Sequence, residues 1–171
     1  MEDSTTPVSV RAIGVKFGLI AGLIGTTQFL LISLLGENPF APGWGWLGAA
    51  IIITVIFFAH KSFKDSGDGF MSYGQGVGIS FWIALTATAL SVPISYIFLT
   101  FIDPGVLDLF YEQQLAEMEK AGQPEAAIEM AMTWTKKLFW VFAIIMPIVW
   151  DVIIGLILSI FTQKKRPEQT F

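Results

Sequence analysis

The sequence predicts an all-α membrane protein: four transmembrane helices, with an outward amphipathic helical hairpin between the third and the fourth. Three observations predict it. Of 171 residues, 54% are hydrophobic and only 14% charged, with a mean hydropathy of +0.66. That is more apolar surface than a soluble domain of this size can hide. The apolar residues fall in blocks long enough to cross roughly 30 Å of hydrocarbon. The cations are sorted as well: Arg11, Lys16, Lys61, Lys64, Lys164, Lys165 and Arg166 fall on one side of those blocks, and Lys120, Lys136 and Lys137 on the other. Cations favour the cytoplasmic side. Both termini and the loop at 60–72 are therefore expected in the cytoplasm, and residues 103–137 outside.

Residues 1–9 are a polar lead-in, and the first apolar run, about 10–35, is read as a retained anchor rather than a cleaved signal. Gly14, Gly18 and Gly22 recur on one of its faces and allow another backbone close, from a neighbouring span or a partner helix. Lys16, one turn in, can snorkel to the headgroups. Prolines 39 and 42, with glycines 36 and 43, make a turn, and Trp44 and Trp46 follow as interface anchors. The second span is placed at 44–63. The third, 73–102, opens at Tyr73; Gly74, Gly76 and Gly78 thin its first turns, and Pro93 is expected to kink it.

Residues 103–137 are too charged for hydrocarbon. Asp103-Pro104 reads as an N-cap and first helical residue. Val106, Leu107, Phe110, Leu115 and Met118 are spaced for one face of a helix over 104–121. Gly122-Gln123-Pro124 breaks it, and a second short helix, 124–136, carries Ile128 and Met132. The fourth span is placed at 138–162, with Trp134 and Trp140 at its outer interface and Pro147 inside it. The whole chain, 1–171, is one domain.

The chemistry classes narrow quickly. There is no cysteine and one histidine, His60. Thiolate nucleophiles, Cys-type zinc sites and paired-His metal sites within one chain are thereby excluded. No basic arm suits nucleic acid. His60 reads as an ordinary polar residue at the end of the second span. Lys61, Lys64 and Asp65 read as a solvated cytoplasmic loop that fixes topology, with an anionic lipid headgroup as the alternative partner. No enzyme activity and no cofactor are expected.

Asp151 is the one charge that hydropathy does not explain. It lies roughly 20 Å from the outer end of the fourth span and roughly 16 Å from the inner, near the midplane. A carboxylate there must face the bundle interior and be neutral or paired. At similar depth stand Thr26, Thr27 and Gln28 on the first span and Thr86 and Thr88 on the third. They are expected to share a polar site with it, as a structural clasp or as a site for a proton or ligand.

Ala59-x-Lys61-x-Phe63-Lys64-Asp65, followed by Gly69-Phe70-Met71-Ser72-Tyr73-Gly74-Gln75-Gly76, resembles the central signature of a family of small four-span bacterial membrane proteins of unknown function, common in the Bacteroidetes. Phe98-x-x-Phe101-Ile102-Asp103-Pro104 is similar to that family too. The resemblance implies an inner-membrane location and brings no catalytic residue with it. Two roles are weighed: an accessory subunit packed against a larger membrane complex, which is the first expectation, or a small oligomeric carrier or proton-linked transporter working through Asp151. The partners expected are the bilayer and either that complex or further copies of the chain.

Overall fold

The computed structural model describes residues 8–166; most of the polar lead-in, residues 1–7, and the last five residues lie outside the described part. The elements are α1 (Val10–Leu34), α2 (Pro42–Ser66), α3 (Tyr73–Ile97) running into a π-helical turn (Phe98–Ile102), α4 (Gly105–Lys120) and α5 (Glu125–Thr162). Four helices are long and apolar enough to cross a membrane: α1, α2, α3 with its π-turn, and α5. The chain is a multi-pass membrane protein.

Local chemistry starts and stops these helices. Ser9 caps α1 by accepting the Ala12 N–H at 3.3 Å. Pro42 opens α2, where its missing N–H goes unmissed. Ser72 and Gln75 form a reciprocal capping box at the start of α3. Gly122, at φ +68°, turns the chain between α4 and α5.

The helices form a ring in which α1 packs on α3, α3 on α5, α5 on α2 and α2 on α1, with α1–α3 the largest contact. The glycine face of α1 is spent on that contact. A Cβ on Gly18 would lie 2.6 Å from Thr86 Cβ and 2.9 Å from the Ile83 carbonyl oxygen. Gly14 meets Trp82 in the same way, and Gly22 meets Ala87 and Leu90. On the other side of α3, Gly155 of α5 receives Ser80, and a Cβ on Gly76 would stand 2.6 Å from Ser159 Oγ. Gly78 packs under Val10. Gly74 corrects an expectation: it faces open space and takes no part in helix packing, because it lies on the exposed side of the first turn.

Two apolar cores result. One, built on Ile13, Ile56, Ala59, Ile79 and Ile83, fills the end where α2 turns into α3. The other, Phe98, Leu99, Val106 and Phe139 with Phe29, Phe110 and Trp140 around them, fills the end that carries α4. Both described chain ends lie at the first of these. Met71 and Lys164 exchange two backbone hydrogen bonds of 3.0 and 2.8 Å, and Val8 packs against Gly67. Arg166 adds an exposed ion pair to Asp68. The Asp68 carboxyl is held below its usual range, first by the Phe70 N–H and also by Arg166. The small stabilisation from this depressed carboxyl is present above the ordinary carboxylate range and is lost as pH falls through it.

The α4 region corrects two boundaries. Pro104, not Asp103, is the N-cap of α4; the Asp103 side chain instead accepts the Gly105 N–H at 3.1 Å. Residues 125–162 are one helix, so the second arm of the hairpin and the fourth span are continuous. Nothing between Thr133 and Leu138 breaks a helix, and the two apolar faces run on in phase. At 1.5 Å per residue α5 is roughly 57 Å long, so part of it must project beyond the hydrocarbon. α4 lies against that extension: Lys136 Nζ stands 5.3 Å from the Tyr111 ring, and Asn38 ties the first loop to Gln113 at 2.6 Å. Val106 is buried and Phe110 half-buried, with Glu112 and Glu117 exposed, in the predicted phase.

Gly18→Leu has to force α1 away from α3. It should lower stability by about 1–3 kcal/mol, read as a drop in the unfolding temperature in detergent. Gly74→Ala, in open space, should leave that temperature unchanged.

Candidate functional site

Between its two cores the bundle is loose. In the half nearer α4 the helices leave a cavity of about 660 Å³ bounded by α1, α2, α3 and α5. Its space is held open by glycines of a second kind. A Cβ on Gly25, Gly45 or Gly48 would meet nothing within 4 Å, and all three line the cavity. Towards α4 it is plugged by aromatic rings. Phe40 sits 5.2 Å from Phe110 and 5.6 Å from Phe139, which in turn sits 5.1 Å from Trp140. Towards the other end its lining ends at Ala21, Ile52 and Thr88, and Ile56, Ile83, Ala84 and Ile154 beyond it are buried. Laterally it reaches the bundle surface past Gly45 of α2 and Met146 and Trp150 of α5, all exposed.

Asp151 lines this cavity, one turn along α5 from Pro147. The carboxylate is half-buried and makes no hydrogen bond or ion pair among the described residues. No lysine or arginine lines the cavity. Neutral polar groups do: Gln28, Thr88, Ser91, Ser95 and Thr135. The proline lacks an N–H, which frees the carbonyl of Ala143, another lining residue.

The predicted polar set is thus half assembled. Gln28 and Thr88 share the cavity with Asp151, Gln28 also donating to the Trp44 carbonyl at 3.4 Å. Thr27 does not: it points into a separate groove of about 530 Å³ between α1 and α2, beside Leu31, Trp44 and Leu47. Thr86 packs on Gly18 instead. Their depth was legible, but 100° per residue turns neighbouring positions to different faces. Pro93 is exposed and lies off the cavity. Of the residues expected at this depth, Thr26 does clasp two spans, but without Asp151: it donates to Ser91 Oγ at 3.1 Å across α1 and α3.

Sequence reasoning also underrated His60. It is fully buried where α2, α3 and α5 meet. Its Nε2 lies 2.9 Å from the Gly76 carbonyl oxygen, which can only accept, so Nε2 carries hydrogen. Its Nδ1 lies 2.8 Å from Thr162 Oγ1. Lys64 Nζ donates to the Thr162 carbonyl at 2.9 Å, a cation on the last turn of a helix. Ser80 and Ser159 bond back to the carbonyls four residues earlier, Gly76 and Gly155. That recurring Gly-x-x-x-Ser spacing was the available signal. Lys61 and Asp65 are exposed, so of the loop residues singled out, Lys64 alone is built into the bundle.

A family model described as "Protein of unknown function (DUF4199)" matches residues 16–164. No curated protein and no solved structure matches the chain.

The two polar sites should respond oppositely to substitution. His60→Leu removes the two hydrogen bonds of a buried ring, at about 0.5–1.5 kcal/mol each, although the Gly76 carbonyl keeps the Ser80 hydroxyl and the Thr162 hydroxyl keeps the Leu158 carbonyl. Asp151→Asn breaks no bond and should leave the unfolding temperature within a degree or two of the parent; thermal unfolding in detergent reads both.

Proposed function

We propose that this chain, which belongs to the DUF4199 family of proteins of unknown function, is a small membrane carrier that loads its cargo at Asp151. The observation that carries this reading is the carboxylate without a partner among the described residues, lining a cavity of about 660 Å³ between the spans and plugged with aromatics towards α4. A structural carboxylate would have been given a partner, because an unpaired charge in hydrocarbon is costly. A loading carboxylate is left without one, so that a proton or a cationic group can supply the compensation. Binding and release then exchange charge at one oxygen pair. The aromatic plug and the His60 cluster stand at opposite ends, one for each face of the membrane.

The threading belongs to the same proposal: an inner bacterial membrane with both termini in the cytoplasm. What supports it is the seven-to-three split of the basic residues along the chain. A second reading, an accessory subunit of a larger complex, is favoured by α5. Only 6% of its apolar window is buried, against 22–33% for the other three spans, so a broad apolar face is free for a partner. The same face would serve a second copy of the chain.

Asp151→Asn should abolish the phenotype by which a deletion of the gene is scored, at unchanged protein level. Full activity in this variant would overturn the carrier reading. A stoichiometric partner that co-purifies in mild detergent, with Asp151→Asn behaving as wild type, would establish the accessory reading instead. A cysteine at Ser66, in this cysteine-free background, should be labelled from the cytoplasmic side; labelling from outside alone would reverse the threading.

A further inference from the structure

We infer that the cargo of this cavity is a lipophilic cation: a positive charge carried on an aromatic, apolar body, taken up from the bilayer. The inference rests on the carrier reading above and names its substrate class.

Charge is the first argument. Asp151 is the only charged side chain among the lining residues, and the other polar groups there are neutral. Arg11 and Lys16 stand at one end of the bundle and Lys136 and Lys137 at the other. An anion in the cavity would face an uncompensated carboxylate, whereas a cation would neutralise it. Surface chemistry is the second. Phe29, Phe40, Phe110, Phe139, Trp140 and Trp150 line the cavity and supply aromatic surface for such a body and for its charge. Space is the third. A proton needs no room, yet Gly25, Gly45 and Gly48 leave a volume within the roughly 300–1,000 Å³ usual for small-molecule sites. A hard metal ion would want several anionic or carbonyl oxygens around it, and among the described residues no second carboxylate joins Asp151 in the cavity. A lipid tail has no use for a carboxylate, and a phosphate headgroup would be repelled by it. The lateral mouth at Gly45, Met146 and Trp150 opens at the depth where a lipophilic molecule partitions.

The test uses the full chain in detergent and two probes with the same four-phenyl body and opposite charge, tetraphenylphosphonium and tetraphenylborate, measured against empty micelles. Tetraphenylphosphonium should bind saturably, and tetraphenylborate should not. Asp151→Asn should weaken tetraphenylphosphonium binding about tenfold or more, the loss expected when one partner of a desolvated ion pair is removed. Gly48→Leu, which grows into the empty cavity, should abolish binding while the unfolding temperature holds. The inference is overturned if both ions bind alike, if the borate binds better, or if Asp151→Asn binds the phosphonium as tightly as wild type. Failure of the probes alongside a lost cellular phenotype in Asp151→Asn overturns the substrate class and leaves the carrier standing. Intact Asp151-dependent binding alongside a wild-type phenotype does the reverse.

Discussion

The bundle depends on how closely α3 approaches its two neighbours. Lipid tails are as apolar as leucine, so spans gain nothing by hiding such side chains from one another. What holds them is contact at short range, and contact needs small residues. Gly14, Gly18 and Gly22 of α1 let Trp82, Thr86 and Ala87 of α3 reach its backbone, and Gly76 and Gly155 do the same where α3 meets α5. α3 is therefore gripped on both sides. α2 has no comparable glycine against a neighbour, and it is attached by its last turns instead, where His60 and Lys64 bond to α3 and α5. Because the grip is tight at that end, the helices are free to part at the other, and the cavity is the space so created.

Glycine thus has two opposed uses within one small fold. In α1, where it faces α3, its missing side chain is occupied by a neighbour. At Gly25, Gly45 and Gly48 the missing side chain is simply missing, and the volume stays empty. The first use makes a joint and the second makes a room. Nothing in the residue type separates them; only the direction each Cα faces does.

That distinction marks the limit of what could be read from the sequence. Spans, their order and the end at which the cations gather follow from hydropathy and charge; the first three predicted spans lie within three residues of α1, α2 and α3 with its π-turn, and the fourth ends with α5 at Thr162. The packing face of α1 was legible because three glycines at four-residue spacing must share a side. Asp151 was legible because a charge in an apolar run has few explanations. Its surroundings were not. Thr27 and Thr86 lie at the right depth and the wrong azimuth, and hydropathy carries no azimuth for helices that are apolar all round. His60 looked like an interface residue because it stands less than two turns from the end of α2; it is buried because α3 and α5 arrive there, which is tertiary information. The continuity of α5 was missed because Trp134, Lys136 and Lys137 mark where a membrane surface lies, and a surface was mistaken for a helix end.

That continuity has a mechanical consequence. α5 is a single unbroken rod from Glu125 to Thr162, held near one tip by Ser159 and Thr162 and bearing α4 near the other. Over roughly 57 Å, each degree of swing about the held tip carries the far tip roughly 1 Å. Asp151, roughly 16 Å from that tip, moves about half as far as the rings of Phe139 and Trp140, roughly 34 Å out. A push on α4 from the aqueous side would therefore displace those rings about twice as far as the carboxylate.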